Sequence, residues 1–225
     1  LIQAHDVAAG RVTVDGICEH DGGTGNPGLG WGTKYFVENL PGLLDTPGEW
    51  WFDAADGRLY LWPPGGAKPT DLDIEISRRD IGFDLRDRSY TTLDGLTVEL
   101  VNQRAVSQHN WTTHGSRGNV LRHLTARYAN YGVYVEQNVA AEQPAGNVTE
   151  GFVLEDSEIA YTDSQGIRLM DWWDDDAAAD SWVRPGVSDT VIRRNELHHL
   201  GFRTDGDNAV GLSFGFPDRL RFEDN

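Results

Sequence analysis

Thr92-Leu93-Asp94-Gly95-Leu96-Thr97-Val98 is the stretch on which the fold turns, because the chain repeats it. Val120-Leu121-Arg122-His123-Leu124-Thr125-Ala126 aligns beneath it. Val153-Leu154-Glu155-Asp156-Ser157-Glu158-Ile159 and Val191-Ile192-Arg193-Arg194-Asn195-Glu196-Leu197 follow, and Arg221-Phe222-Glu223-Asp224-Asn225 is a broken fifth copy. The copies start 28, 33, 38 and 30 residues apart. A second short apolar-alternating run trails the complete copies, as in Gly132–Glu136, Gly166–Leu169 and Ala209–Phe214. No stretch carries a sustained helical period, so the expectation is all-β. Unequal spacing argues against a propeller, whose blades hold four strands in roughly 40–45 residues. It suits a parallel β-helix, where one coil cannot bury its own apolar face but stacked coils build a continuous core. A β-sandwich is the structural alternative.

The first part of the chain, about residues 1–75, is of another kind, rich in Gly, Pro and Trp. Glu49–Asp53 and Arg58–Trp62 read as two strands, and the Asp56-Gly57 between them is a hairpin signal. The domain expectation is therefore a small β-rich segment over 1–75 followed by coils over 76–225. The last copy stops at Asn225 without a capping segment and residue 1 enters mid-pattern, so the chain is expected to be a fragment of a longer protein.

Composition narrows the function classes. Nineteen basic against 36 acidic residues give a net charge of −17. Such a surface repels phosphate backbones and anionic lipids, which argues against nucleic acid and membranes as partners. It also disfavours an anionic polysaccharide, unless a local basic groove overrides it. No apolar run approaches the roughly 20 residues of a membrane-spanning helix. The single cysteine, Cys18, excludes an internal disulfide and a Cys-based zinc site.

Lys34-Tyr35-Phe36-Val37-Glu38-Asn39-Leu40-Pro41-Gly42-Leu43-Leu44-Asp45-Thr46-Pro47-Gly48-Glu49-Trp50, continuing through Asp53, Gly57, Leu59-Tyr60 and Trp62-Pro63, resembles a known block. It is similar to the segment that enters the coil in bacterial right-handed parallel β-helix glycoside hydrolases of the β-xylosidase-like and α-L-fucosidase-like kinds. Asn195-Glu196-Leu197-His198-His199-Leu200-Gly201 resembles the coil motif of the same superfamily, a motif shared with lyases and non-catalytic β-helices. The resemblance implies a secreted or periplasmic enzyme with a pair of carboxylates in a groove on the helix side.

Strand alternation places candidate groups. With Val133, Val135, Ile167, Leu169, Val210, Leu212 and Phe214 facing in, Tyr134, Glu136 and Arg168 face out beside Gly211 and Ser213. The expected result is a shallow polar groove for a sugar. The turns feeding this sheet carry Asp163, and one coil later Asp205 and Asp207. Coils stack at about 4.8 Å, so matching carboxylates on neighbouring coils would approach the roughly 5–5.5 Å of a retaining glycosidase. Asp163 with Asp207 is the preferred catalytic pair, with Asp205 and Glu136 as further candidates. Aspartates in such turns also serve simply to bond nearby amides.

Trp172 and Trp173 offer flat faces for sugar rings or pack the loop. Asp174–Asp176 carry oxygen ligands of the type Ca²⁺ takes, but a solvated loop is the favoured reading of this run and no cofactor is expected. His198 and His199 are candidate substrate contacts; adjacent strand residues point opposite ways, which makes them a poor metal site. The expected function is glycoside hydrolysis by paired carboxylates on a carbohydrate substrate. The alternatives are a uronate lyase, for which two lysines and an acidic surface are unfavourable, and a non-catalytic carbohydrate-binding or adhesin β-helix. The sequence leaves the oligomeric state open.

Overall fold

The computed structural model describes residues 2–6, 8–9, 11–14, 39–110, 114–139, 147–173, 186–202, 211–215 and 217–225. The chain divides into two compact units, Leu1–Glu75 and Ile76–Asn225. The first unit holds the antiparallel pair β1 (Ile2–Asp6) and β2 (Arg11–Val14), and the hairpin β3 (Trp50–Asp53) and β4 (Arg58–Leu61). The hairpin falls where Asp56-Gly57 predicts it, with Gly57 at φ 65° and Trp51 stacked on Tyr60.

The second unit contains only strands, turns and irregular segments among its described residues. In chain order these are β5 (Arg79–Asp84), β6 (Thr92–Asp94), β7 (Thr97–Glu99), β8 (Val101–Asn110), β9 (Val120–Arg122), β10 (Thr125–Ala129) and β11 (Tyr131–Val139). Then come β12 (Thr149–Glu150), β13 (Val153–Glu155), β14 (Glu158–Thr162), β15 (Ile167–Trp173), β16 (Val187–Ser188), β17 (Val191–Arg193), β18 (Glu196–Leu200), β19 (Leu212–Gly215) and β20 (Arg221–Glu223). The chain visits three large parallel sheets in turn, and β12 and β16 form a further short parallel pair. The first is ordered β5-β8-β11-β15-β19, the second β6-β9-β13-β17-β20 and the third β7-β10-β14-β18. The repeated heptad spans the second and third sheets, and its copies stand in register: Leu93, Leu121, Leu154, Ile192 and Phe222 form one row.

Left-handed residues mark the corners of every coil. Tyr90, Gly118, Gly151, Asp189 and Arg219 precede the second sheet; Gly95, His123, Asp156, Arg194 and Asp224 separate the second from the third; Leu100, Tyr128, Tyr161 and His199 close the third. These three corners keep fixed distances from one another along the sequence. All variation in repeat length therefore falls between the third corner and the next coil's first, the stretch that holds the first sheet.

Inside, rows of apolar side chains stack. Leu121, Leu154 and Ile192 are fully buried, as are Val133, Ile167 and Leu169. Turn amides that lack a strand partner are met by an interior polar row. Ser157 Oγ accepts from Leu124 N, Asn195 Oδ1 from Ser157 N, and Asn225 Oδ1 from Asn195 N, at 3.0 to 3.1 Å. Outside, charges alternate in sign from coil to coil. Asp94 pairs with Arg122 at 2.9 Å, Arg193 with Glu155 at 2.7 Å, Arg194 with Asp156 at 2.6 Å and Arg127 with Glu99 at 2.7 Å. In-register parallel stacking would otherwise set like charges about 4.8 Å apart.

Across the first sheet and its entry, Gly82, Ala105, Gly132, Gly166 and Gly211 form a row of small residues. A Cβ on Gly132 would lie 2.4 Å from Ile159 Cγ2 and 2.6 Å from the Gly166 carbonyl oxygen. Backbone cannot yield as a flexible side chain would. Gly132→Ala is expected to cost about 1–3 kcal/mol, read as a lower urea midpoint with an unchanged slope.

Candidate functional site

The first sheet places the expected outward residues together. Its registers align Ser107, Tyr134, Arg168 and Ser213 in one row, and His109, Glu136, Met170 and Gly215 in the next. Tyr134 donates its hydroxyl to Glu136 Oε2 at 2.6 Å, and Arg168 Nε donates to the same oxygen at 2.9 Å. His109 Nε2 lies 3.2 Å from the other oxygen, Oε1. The shallow open groove expected here is not formed. Tyr134, Glu136 and Arg168 are 7%, 3% and 5% exposed, and they bond to one another. A buried carboxylate without donors would be strongly disfavoured, so these three side chains close on it.

The electrostatics follow. Burial alone would push the Glu136 carboxyl up, but the His109 ring, the Tyr134 hydroxyl and the Arg168 guanidinium together hold it below the ordinary glutamate range. Burial, then the neighbouring Glu136 charge, pushes the Tyr134 phenol up, so it stays protonated and donates.

Arg104 belongs to the same cluster, and alternation alone would have missed it. Ala105 and Val106 both face the core, which breaks the alternation and sets Arg104 on the outer side. Its guanidinium carbon lies 3.7 Å from the Tyr134 ring centre, and Nη1 lies 3.4 Å from both Ser107 Oγ and His109 Nδ1. Arg168 flanks the same ring at 5.3 Å. His109 gave no signal in the sequence because the strand that carries it, β8, follows a copy whose trailing run is not cleanly alternating.

The other candidates fall elsewhere. Asp163 lies half-buried in the turn after β14, and its amide donates to the Ala129 carbonyl at 3.0 Å, as a turn residue does. Asp205, Asp207 and Asp174–Asp176 lie outside the described residues, as do the side chains of Trp172 and Trp173. The backbones of both tryptophans continue strand β15, where a segment following the strand was expected. Asp171 is drawn into that strand too. It faces inward in register with Gln137 and accepts from Gly186 N at 2.8 Å.

His198 and His199 do not point apart. His199 sits at a left-handed corner, φ 52°, which cancels the alternation and brings the two Nδ1 atoms to 2.7 Å. His198 Nε2 lies 3.3 Å from Glu158 and 3.9 Å from Glu196, while His199 stacks on Tyr161 with ring centres 4.7 Å apart. This pair is on the third sheet and the Glu136 cluster on the first. Phe214, expected to face the core, is in register with Leu169 but remains 36% exposed beside Phe222 on the last described coil. Among the described residues, no group of three or more His, Cys, Asp or Glu is arranged to hold a metal ion.

No known protein family, curated protein or solved structure matches the chain.

Proposed function

We propose that the three-sheet coil is a right-handed parallel β-helix of a secreted or periplasmic glycoside hydrolase, acting on a carbohydrate held against the first sheet. The observation that carries this reading is Glu136, a nine-tenths-buried carboxylate kept ionised by three donors on the outer side of that sheet. Right-handedness is what parallel crossover connections favour almost without exception. The resemblance of Lys34–Pro63 to the segment preceding such coils supports the enzyme class.

A carboxylate held ionised suits attack on, or electrostatic stabilisation of, an oxocarbenium-like transition state. It does not suit general acid work, which needs a raised pKa. Glu136 is therefore the anionic member of the pair. Its row neighbours on adjacent coils are His109 and Met170, so the acid partner lies off this row: Asp163 in its turn, or Asp205 or Asp207 outside the described residues. Tyr134 and Arg168 orient Glu136. Arg168 is poorly placed as a lyase base because its Nε is committed to that carboxylate.

The test is hydrolysis of aryl xyloside, fucoside, arabinoside and galactoside by the protein and by Glu136→Gln, Asp163→Asn and Asp207→Asn. Glu136→Gln is expected to lower kcat by about 10²-fold or more while leaving the circular dichroism spectrum unchanged. Full turnover in a folded Glu136→Gln protein would remove Glu136 from the chemistry. No turnover of any glycoside, with carbohydrate binding retained, would leave a non-catalytic binding module.

A further inference from the structure

The Glu136 cluster carries more positive than negative charge, in a protein of net charge −17. Arg168 and Glu136 form a close ion pair, and Arg104 stands over the same Tyr134 ring. Among the described residues no carboxylate pairs with Arg104. Its two polar contacts, Ser107 Oγ and His109 Nδ1, both fall on Nη1 and both are long at 3.4 Å. The Nε and Nη2 donors have no hydrogen-bond partner among the described residues. The guanidinium is half-buried and held flat by the tyrosine, so its donors are fixed in direction. Elsewhere in the coil Arg117, Arg122, Arg127, Arg193, Arg194 and Arg219 each pair with an acid on a neighbouring coil. Arg104 has no such partner among the described residues, and it stands beside the closed Tyr134–Glu136–Arg168 cluster.

We propose that Arg104 is a recognition residue for the carboxylate of an acidic sugar, so that the substrate is a uronate-containing glycan. A planar guanidinium presents two parallel N–H donors that match a carboxylate, and a stacked one loses little freedom on binding. Ser107 Oγ and His109 Nδ1 lie beside it, each 3.4 Å from Nη1. A local positive group outweighs the acidic surface at short range, because salt screens the more distant surface charges. The inference rests on the carbohydrate reading above and adds the class of sugar.

The experiment is calorimetric titration of the protein with galacturonate and glucuronate trisaccharides, with galactose and glucose trisaccharides of the same linkage, and with a sulfated galactose trisaccharide. The uronates are expected to bind about tenfold or more tightly than their neutral counterparts, the scale of a charge-assisted hydrogen-bonded pair, and the gap narrows as salt rises. Arg104→Gln abolishes the gap, and Arg104→Lys restores part of it as a point charge. Equal affinity for acidic and neutral sugars, or a gap that survives in Arg104→Gln, overturns the assignment. Retention of the sulfated sugar in place of the uronates overturns it in favour of a sulfate-binding fork. Binding or turnover of neutral sugars alone sinks this inference and spares the hydrolase reading. Uronate binding accompanied by new double bonds in the product sinks hydrolysis and spares the acidic sugar. An absence of binding and turnover throughout removes both.

Discussion

Arg168→Met is expected to destabilise the protein by about 3–5 kcal/mol, because it strands a buried carboxylate. Arg168 and Glu136 are each about 5% exposed, and the guanidinium Nε bonds Glu136 Oε2 at 2.9 Å. Removing the cation leaves Tyr134 and His109 as the donors to Glu136 within the cluster, against a desolvation penalty that no longer has a countercharge. The methionine fills similar volume, so packing changes little and the effect is electrostatic. Adding Glu136→Gln to Arg168→Met is expected to recover much of the loss, since a neutral amide needs no countercharge. Urea denaturation of the four proteins in this cycle measures the coupling. Additive losses in the double variant would mean that the pair is not a unit.

Asp171 gives the second large effect, in the pH dependence of stability. Burial raises its carboxyl from 3.8 to about 7, with the amides of Gly186 and Val187 only partly offsetting this. Oδ2 accepts from Gly186 N, and Oδ1 is buried without a hydrogen-bond partner among the described residues. The folded protein therefore binds this proton more tightly than the unfolded chain does. Stability is fully present below the unfolded pKa and falls as pH rises from about 4 to 7, by up to about 1.4 kcal/mol per unit. Above pH 7 the contribution is lost. Asp171→Asn keeps an acceptor for the Gly186 amide and carries no proton to lose. It is expected to flatten the slope between pH 5 and 7 and to be the more stable protein at pH 8. A slope unchanged by the substitution would assign it to another group. Glu136 acts in the opposite sense and at lower pH. Its depressed carboxyl contributes stability above the unfolded glutamate range, lost as pH falls through the folded value.

The coil was legible in the sequence because one short segment recurs with its apolar positions intact. Leu93, Leu121, Leu154 and Ile192 need no knowledge of the rest to be placed inside. The outward trio Tyr134, Glu136 and Arg168 was legible for the same reason, being set by parity against Val133, Val135, Ile167 and Leu169. Parity failed wherever a corner intervened. Left-handed His199 swung its ring towards His198, and the doubled inward pair Ala105-Val106 moved Arg104 to the outer side. Burial was not legible either. Whether a polar side chain lines an open groove or closes on its neighbours depends on partners dozens of residues away, as Arg168 is from Glu136. Strand β15 ran on through Asp171 because in-register pairing with β11 outweighed the weak strand preference of an aspartate.

The alternating charges outside the coil impose a parity on its architecture. Acid and base trade places at each step along Asp94, Arg122, Glu155, Arg193 and Glu223, and again along His123, Asp156, Arg194 and Asp224. Excising the single turn that begins at Val120 would seat Asp94 against Glu155, and the rungs on either side of the cut would repel. Excising that turn together with the next seats Asp94 against Arg193, and attraction is restored. Lengthening or shortening this scaffold by design, or by duplication in its own history, is thus easiest in steps of two.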